Sequence, residues 1–170
     1  MHLVELIPGP DTLPEVTARG RRYAANCLQK IVVEARDTPC FIANRVGAHF
    51  SAVAQASTVA GGFTVDEADQ ITGSFLSFPA SGTFRLMDII GLDVWAQMLQ
   101  RLESTDALFK PQPYLTEMIR RNLLGEKTGW CFYRKTTVDG AKAIEVIDLV
   151  NKGWVWLLCC WHMERGSTNS

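Results

Sequence analysis

At 170 residues, 47% of them hydrophobic and 21% charged, the chain is long enough to bury the core of one domain. Its formal net charge of −1 gives no electrostatic reason to expect nucleic acid or an anionic membrane surface as a partner. Five cysteines (Cys27, Cys40, Cys131, Cys159, Cys160) are odd in number and show neither CxxC nor Cys/His zinc spacing; with no signal-peptide pattern at Met1, they imply reduced thiols in a cytoplasmic setting.

Met1–Ile7 alternates weakly and predicts a short strand. Within it Glu5 lies between Leu3-Val4 and Leu6-Ile7, so its carboxylate would be largely buried and would need a partner. Pro8-Gly9-Pro10-Asp11 breaks the strand, and Thr12 is positioned to cap a helix from Leu13 to about Leu28. Lys30–Ala35, with Ile31, Val32 and Val33, predicts a second strand.

A long helix is expected next. Thr38 reads as its N-cap and Pro39 as its first residue, where a missing N–H costs nothing, and Gly61-Gly62 ends it. Ile42, Val46, His49, Phe50, Val53 and Ala60 form an apolar face at helical spacing, on which His49 reads as a packed core histidine. Asn44, Ala48, Ser51, Gln55 and Thr58 form a small, polar stripe. No Asp, Glu, Lys or Arg occurs from Val46 to Val65, so the helix is expected to be buried on most sides. An amide in its second turn then requires a hydrogen-bond partner, which makes Asn44 a candidate ligand contact. The helix is long enough to cross a membrane, but Asn44, Arg45, His49, Ser51 and Gln55 argue against it.

Thr64-Val65-Asp66-Glu67 is a capping box opening a helix to about Phe75. Phe78–Gly82 reads as a loop. Thr83 is placed to cap a short helix to Ile90 and Asp93 to cap another to about Glu103; Tyr114–Leu123 is amphipathic. After Gly125 the pattern changes, and Trp130–Lys135 and Ala143–Leu149 flank Val138-Asp139-Gly140 as a β-hairpin. The chain has no G-x-G, no Walker A loop, no G-x-S-x-G, no HExxH and no acidic cluster suited to a metal. Residue chemistry alone therefore gives a helical domain with two suspicious polar side chains, Glu5 and Asn44.

Four stretches together resemble a known family. Asp37-Thr38-Pro39-Cys40-Phe41-Ile42-Ala43-Asn44-Arg45 is similar to the D-T-P-G-F-I-x-N-R motif of 3-hydroxyacyl-CoA dehydrogenases. Met1–Gly9 resembles the segment leading out of their NAD-binding Rossmann domain. Phe78-Pro79, followed by Phe84-Arg85-Leu86-Met87-Asp88-Ile89-Ile90-Gly91-Leu92-Asp93, is similar to F-P…F-x-L-x-D-x-x-G-L-D. Gly125-Glu126-Lys127-Thr128-Gly129-Trp130-Cys131-Phe132-Tyr133 matches G-x-K-T-G-x-G-F-Y with one change. The wording is most like the long bacterial and archaeal type.

The resemblance implies a mainly α fold, a helical bundle of the 6-phosphogluconate dehydrogenase C-terminal-domain-like type with short β pieces at the N-terminus and a C-terminal hairpin. It implies hydride transfer between NAD and a 3-hydroxyacyl-CoA (3-oxoacyl-CoA in reverse) in fatty-acid β-oxidation, and a homodimer. In such enzymes an imidazole takes the hydroxyl proton and a glutamate orients it. That glutamate falls on Glu5, a substrate-holding asparagine on Asn44, and a cofactor-contacting lysine on Lys127; no metal is implied. The catalytic histidine and the glycine-rich loop belong to an N-terminal domain that is not in the chain, and His2 is not that histidine. Cys40 and Cys131 each stand where the family has glycine, and Cys131 is expected to strain a turn.

This divides the chain into the remnant of a Rossmann exit strand (1–10), a helical domain (11–134), a hairpin or linker (135–150) and a non-native or disordered tail (151–170). With no sheet to pair against, the first strand is expected to fray and to leave Glu5 solvated. The chain is then the substrate-facing, dimerising part of a dehydrogenase, inactive alone, to which a separate Rossmann-domain chain could be the complement. The alternative is a non-catalytic interaction module that kept the dimerisation fold.

Overall fold

The computed structural model describes residues 2–76 and 81–149, together with the backbone of Trp156–Leu158. The chain groups into two compact parts, Met1–Ala48 and His49–Ser170, and the division falls inside one long helix.

In the first part β1 (Leu3–Leu6) and β2 (Ile31–Glu34) pair in parallel, with Leu3 opposite Ile31 and Leu6 opposite Glu34. The Ile31 amide donates to the His2 carbonyl at 2.8 Å and the Ala35 amide to the Leu6 carbonyl at 3.0 Å, so both ends of the pair are closed. This corrects the expected frayed strand, because β2 supplies the missing ladder. Parallel neighbours need a crossover, here α1 (Pro14–Arg22), which widens into a π-turn at Tyr23–Cys27. Thr12 does not cap it. Its hydroxyl accepts the Gly9 amide at 3.0 Å, leaving Leu13 at the cap position with no side-chain bond.

The long helix α2 spans Ala43–Gly61, so it begins five residues after the expected Thr38 cap. Pro39–Ile42 instead form a turn in which Cys40 (φ 64°) and Phe41 (φ 50°) are both left-handed, and the Phe41 amide donates to the Thr38 carbonyl at 3.0 Å. Its faces are also inverted relative to expectation. The small, polar stripe is buried (Ala48 0%, Ser51 5%, Gln55 1% and Thr58 3% exposed), whereas Val46 is 63% and Val53 43% exposed. The polar stripe can be buried because it is satisfied: Gln55 Nε2 donates to the Ser51 carbonyl (3.1 Å), and Gln55 Oε1 accepts from Tyr114 Oη (2.8 Å). His49 is exposed, edge-on to Phe109, and is not a core residue.

The second part continues with α3 (Val65–Gln70), extended by a π-turn to Phe75, then α4 (Phe84–Ile90), α5 (Leu92–Glu103) and α6 (Pro113–Arg120). The Thr64–Glu67 capping box forms as expected, both reciprocal bonds being present. Helix α4 is capped from a distance: Asp69 accepts the Phe84 amide at 2.6 Å and the Arg85 amide at 2.8 Å, while Thr83 makes no capping bond. Asp93 lies in the first turn of α5 rather than at its cap.

Strands β3 (Tyr133–Val138) and β4 (Ala141–Ile147) form the expected hairpin, joined by Asp139 (φ 50°) and Gly140 (φ 79°) in the two-residue geometry that strand twist favours. Trp156–Leu158 adds as β5, antiparallel to β4. The rest of the 151–170 tail lies outside the described residues, as does most of the Phe78–Gly82 loop. Phe84, Met87, Leu92, Leu102, Leu115, Met118 and Phe132 are at most 1% exposed and make the core, where the Phe84 and Phe132 rings meet edge to face at 4.9 Å.

Candidate active site

The parallel register fixes where Glu5 points. It lies opposite Val33 in the ladder, and its half-buried side chain reaches the start of α2. There Glu5 Oε2 accepts the Ile42 amide at 2.8 Å and Oε1 accepts the Ala43 amide at 2.9 Å. The first amides of a helix lack intrahelical partners and carry its positive dipole end, so an ionised carboxylate is the group they favour. Glu5 is thus the non-local cap of α2, held by both oxygens rather than solvated. Each oxygen keeps a second lone pair, so the carboxylate can still accept from an imidazole N–H.

Asn44 follows Ala43 directly, in the first turn of α2, and is exposed. The turn before it is braced by Arg45, whose Nη2 donates to the Pro39 carbonyl at 3.4 Å. The structure therefore brings Glu5 and Asn44 to one helix end and presents Asn44 as an exposed amide in the first turn of α2, not in a buried second turn.

Lys127 is arranged differently. It lies in a single 3-10 turn, Glu126–Thr128, and its ammonium is salt-bridged to Asp93, which holds the Asp93 carboxyl below the usual carboxylate range. Cys131 is likewise not the strained residue. It is fully buried with its thiol directed at the Leu123 carbonyl (3.4 Å), and the left-handed position that glycine would favour is Cys40.

Two buried carboxylates escaped the sequence reading. Asp69, besides capping α4, accepts from Tyr133 Oη at 2.7 Å; burial pushes its carboxyl up to about 6, against the opposing pull of the Tyr133, Phe84 and Arg85 bonds. Asp88, 2% exposed, accepts the Phe132 and Tyr133 amides, both at 3.0 Å, and is raised in the same direction by burial. The signal that picked out Glu5, an acid inside an apolar run, was present at Asp88 between Met87 and Ile89. Both acids border an open cleft of about 1050 Å³, lined also by Arg85, Trp130 and Arg134 but by none of Glu5, Asn44 and Lys127. Among the described residues no cluster of His, Cys, Asp or Glu could hold a metal ion.

A nicotinamide dinucleotide finds no pyrophosphate cradle in the β1–α1 connection. Its pyrophosphate needs free amides in a strand-to-helix turn. In the β1–α1 connection Pro8 and Pro10 have no N–H, the Gly9 amide is bonded to Thr12 Oγ1 and the Thr12 amide to the Gly9 carbonyl.

The family profile of the 3-hydroxyacyl-CoA dehydrogenase C-terminal domain matches residues 41–135. The chain belongs to this family. It is 35% identical over 140 residues to a probable 3-hydroxyacyl-CoA dehydrogenase of Bacillus subtilis, covering 79% of this chain and 18% of that one. It is 34% identical over 145 residues to a probable 3-hydroxyacyl-CoA dehydrogenase of Deinococcus radiodurans, covering 84% and 42%. Among solved structures, FadB2 of Mycobacterium tuberculosis superposes with a TM-score of 0.70 at 30% identity over 80% of this chain and 48% of that one. The chain thus spans less than half the length of these relatives, and its fold is the helical C-terminal domain of 3-hydroxyacyl-CoA dehydrogenases with short strands toward both ends.

Proposed function

We propose that this chain is the substrate-facing and dimerising part of an NAD-dependent 3-hydroxyacyl-CoA dehydrogenase of cytoplasmic fatty-acid β-oxidation. Glu5 is its orienting carboxylate, and both the imidazole that Glu5 orients and the NAD site lie outside these residues. The carrying observation is the doubly bonded carboxylate of Glu5 at the helix end that also presents Asn44. A carboxylate fixed in this way accepts one imidazole N–H, sets the tautomer of the ring and favours the imidazolium formed when the other nitrogen takes the C3 hydroxyl proton. Asn44 donates its amide N–H to the substrate oxygen and fixes the attack geometry. Self-association is supported by apolar side chains left in water on α2, α4 and α5: Val53, Ile89 and Val94 are 43%, 55% and 50% exposed.

The test is reconstitution with the NAD-binding part of a relative, in cis or as a separate chain. Glu5→Gln keeps the shape but removes the charge, and is expected to lower kcat by roughly 10²–10⁴ with little change in KM. Asn44→Ala is expected to lower kcat/KM by roughly 5- to 150-fold, the loss of one oriented hydrogen bond of about 1–3 kcal/mol. Wild-type rates for both variants would refute the assignment. Failure of any complement to give turnover would favour a non-catalytic module. Without a complement, the chain is expected neither to reduce acetoacetyl-CoA, because a lone carboxylate is a poor proton carrier between ketone and alcohol, nor to bind NADH more tightly than about 100 μM, because no pyrophosphate cradle is present in its β1–α1 turn.

A further inference from the structure

Gly47 lies in the interior of α2, where glycine is a poorer choice than alanine because it surrenders more backbone freedom and packs nothing. A glycine in an ordered element commonly marks a neighbour that a Cβ would strike. Gly125 is of that kind, since a Cβ there would run into the Asp88 carbonyl. Gly47 is not: among the described residues, a Cβ built on it meets nothing within 4 Å, and the residue is exposed. It also lies outside the left-handed region that Gly91, Gly125 and Gly140 occupy. The packing of the described residues therefore gives no reason for the missing side chain.

Helical geometry says what the gap lies beside. Residues three and four apart share a face, so Gly47 is next to both Asn44 and Ala43. Ala43 gives its amide to Glu5 Oε1 at 2.9 Å and is itself exposed. The three residues form one patch at the helix end that Glu5 caps. In it the Asn44 amide is bordered by helix backbone that carries nothing larger than a methyl group.

We infer that Gly47 is a specificity-determining residue of the reaction proposed above, keeping a clearing along α2 for the alkyl chain beyond C3 of a 3-hydroxyacyl-CoA. The inference rests on that reading of Glu5 and Asn44. An oxygen held by Asn44 fixes C3, so the carbons attached to C3 run over the surface beside Asn44. The clearing at Ala43 and Gly47 is uncharged and apolar, which suits an alkyl chain. The thioester side carries a carbonyl, which needs a donor when it leaves water. An alkyl chain binds through many weak contacts that fall off steeply with distance, and a bare backbone lets it approach closer than any other residue does.

The test has two arms. In the purified chain, Gly47→Ala is expected to raise Tm by about 1–3 °C, since nothing obstructs the new methyl group and the helix gains propensity. In the reconstituted enzyme the same substitution is expected to lower kcat/KM by about threefold with acetoacetyl-CoA. With a ten-carbon 3-oxoacyl-CoA the loss is expected to be about tenfold or more, lying mainly in KM, and Gly47→Leu is expected to widen the gap. A gain in stability coupled to a loss that grows with chain length is not what a merely structural glycine would give. Equal losses on the two substrates, or wild-type kinetics in both variants, would overturn the inference alone if Glu5→Gln still lowered kcat as expected. A lowered Tm in Gly47→Ala would overturn it by showing that the chain itself needs the gap. Weaker self-association in sedimentation with unchanged turnover would overturn it by giving the clearing to a second copy. No turnover by the wild-type sequence with any complement would remove this inference together with the reading it rests on.

Discussion

Residues 2–48 and residues 49–149 solve the same problem with very different means. Among residues 2–48 the buried side chains are Ala24 and Ala48 alone, and helix α1 contributes none. Its apolar residues face water: Leu13, Val16, Tyr23 and Ile31 are 52–65% exposed. Residues 49–149 instead close a core on Phe84, Leu102, Met118 and Phe132, each fully excluded from solvent. A two-stranded parallel pair with one crossover helix is not a self-sufficient fold, since parallel sheets ordinarily carry cover on both faces. The first region therefore holds its shape through backbone pairing and the Glu5 cap, the second through side-chain packing. The lesson is that the carboxylate expected to do chemistry sits on the lighter scaffold, while the buried acids Asp69 and Asp88 do structural work in the heavier one.

The largest test of this contrast compares one truncation from each region. Phe132→Ala removes a ring packed against Phe84 and Tyr114 and is expected to cost about 3–5 kcal/mol in urea unfolding. Val46→Ala, at a position 63% exposed, is expected to change stability by less than about 0.5 kcal/mol. Comparable losses from the two would mean that the first region is packed after all.

A smaller effect sharpens the account of the buried acids. The Asp69 carboxyl titrates near 3.8 when unfolded and is pushed up to about 6 when folded, burial being the main cause. The folded protein therefore holds a proton that the unfolded chain has released between those values. The stability this group contributes is fully present below about pH 3.8 and is lost as pH rises through about 6, a change of about 3 kcal/mol. Asp69→Asn removes this dependence, so its stability relative to wild type is expected to rise by that order between pH 4 and pH 7. A difference that stays constant with pH would show that the hydrogen bonds to Asp69 fully offset its burial.

What the sequence disclosed follows the range of the interaction. The Thr64–Glu67 capping box and the Asp139-Gly140 hairpin close within a few residues and were legible. The Asp69 cap on α4 spans 15 residues and the Glu5 cap on α2 spans 37, whereas local sequence points to the nearest plausible caps, Thr83 and Thr38. The faces of α2 were inverted because hydropathy favours burying Val46 and Val53, whereas Gln55 is accommodated by a tyrosine hydroxyl 59 residues away. The candidate site was half legible. Glu5 stood out as an acid between apolar pairs and Asn44 as an amide in an uncharged helix, but the roles of both came from the resemblance, and the Asp93 partner of Lys127 gave no local signal.

The smallest effect tests how the lighter region tolerates strain. Where the second region needs a left-handed corner against backbone it uses Gly125, at φ 109°. The first region makes its equivalent turn with Cys40 at φ 64° and Phe41 at φ 50°, neither of them glycine. A side chain in that conformation costs roughly 1–2 kcal/mol, because Cβ crowds the following carbonyl oxygen. Cys40→Gly removes that crowding but frees the unfolded chain by about 0.5–1 kcal/mol, so the net expectation is a gain of about 0.5–1 kcal/mol. Cys40→Ala keeps a Cβ and is expected to gain nothing, which separates relief of strain from loss of the thiol. The same turn delivers the Ile42 and Ala43 amides to Glu5, so the gain should come with the Glu5 cap intact. That can be read as slower hydrogen exchange at those two amides in Cys40→Gly than in wild type. Equal stability of the glycine and alanine variants, or faster exchange at Ile42 and Ala43, would mean that the turn is not strained at position 40.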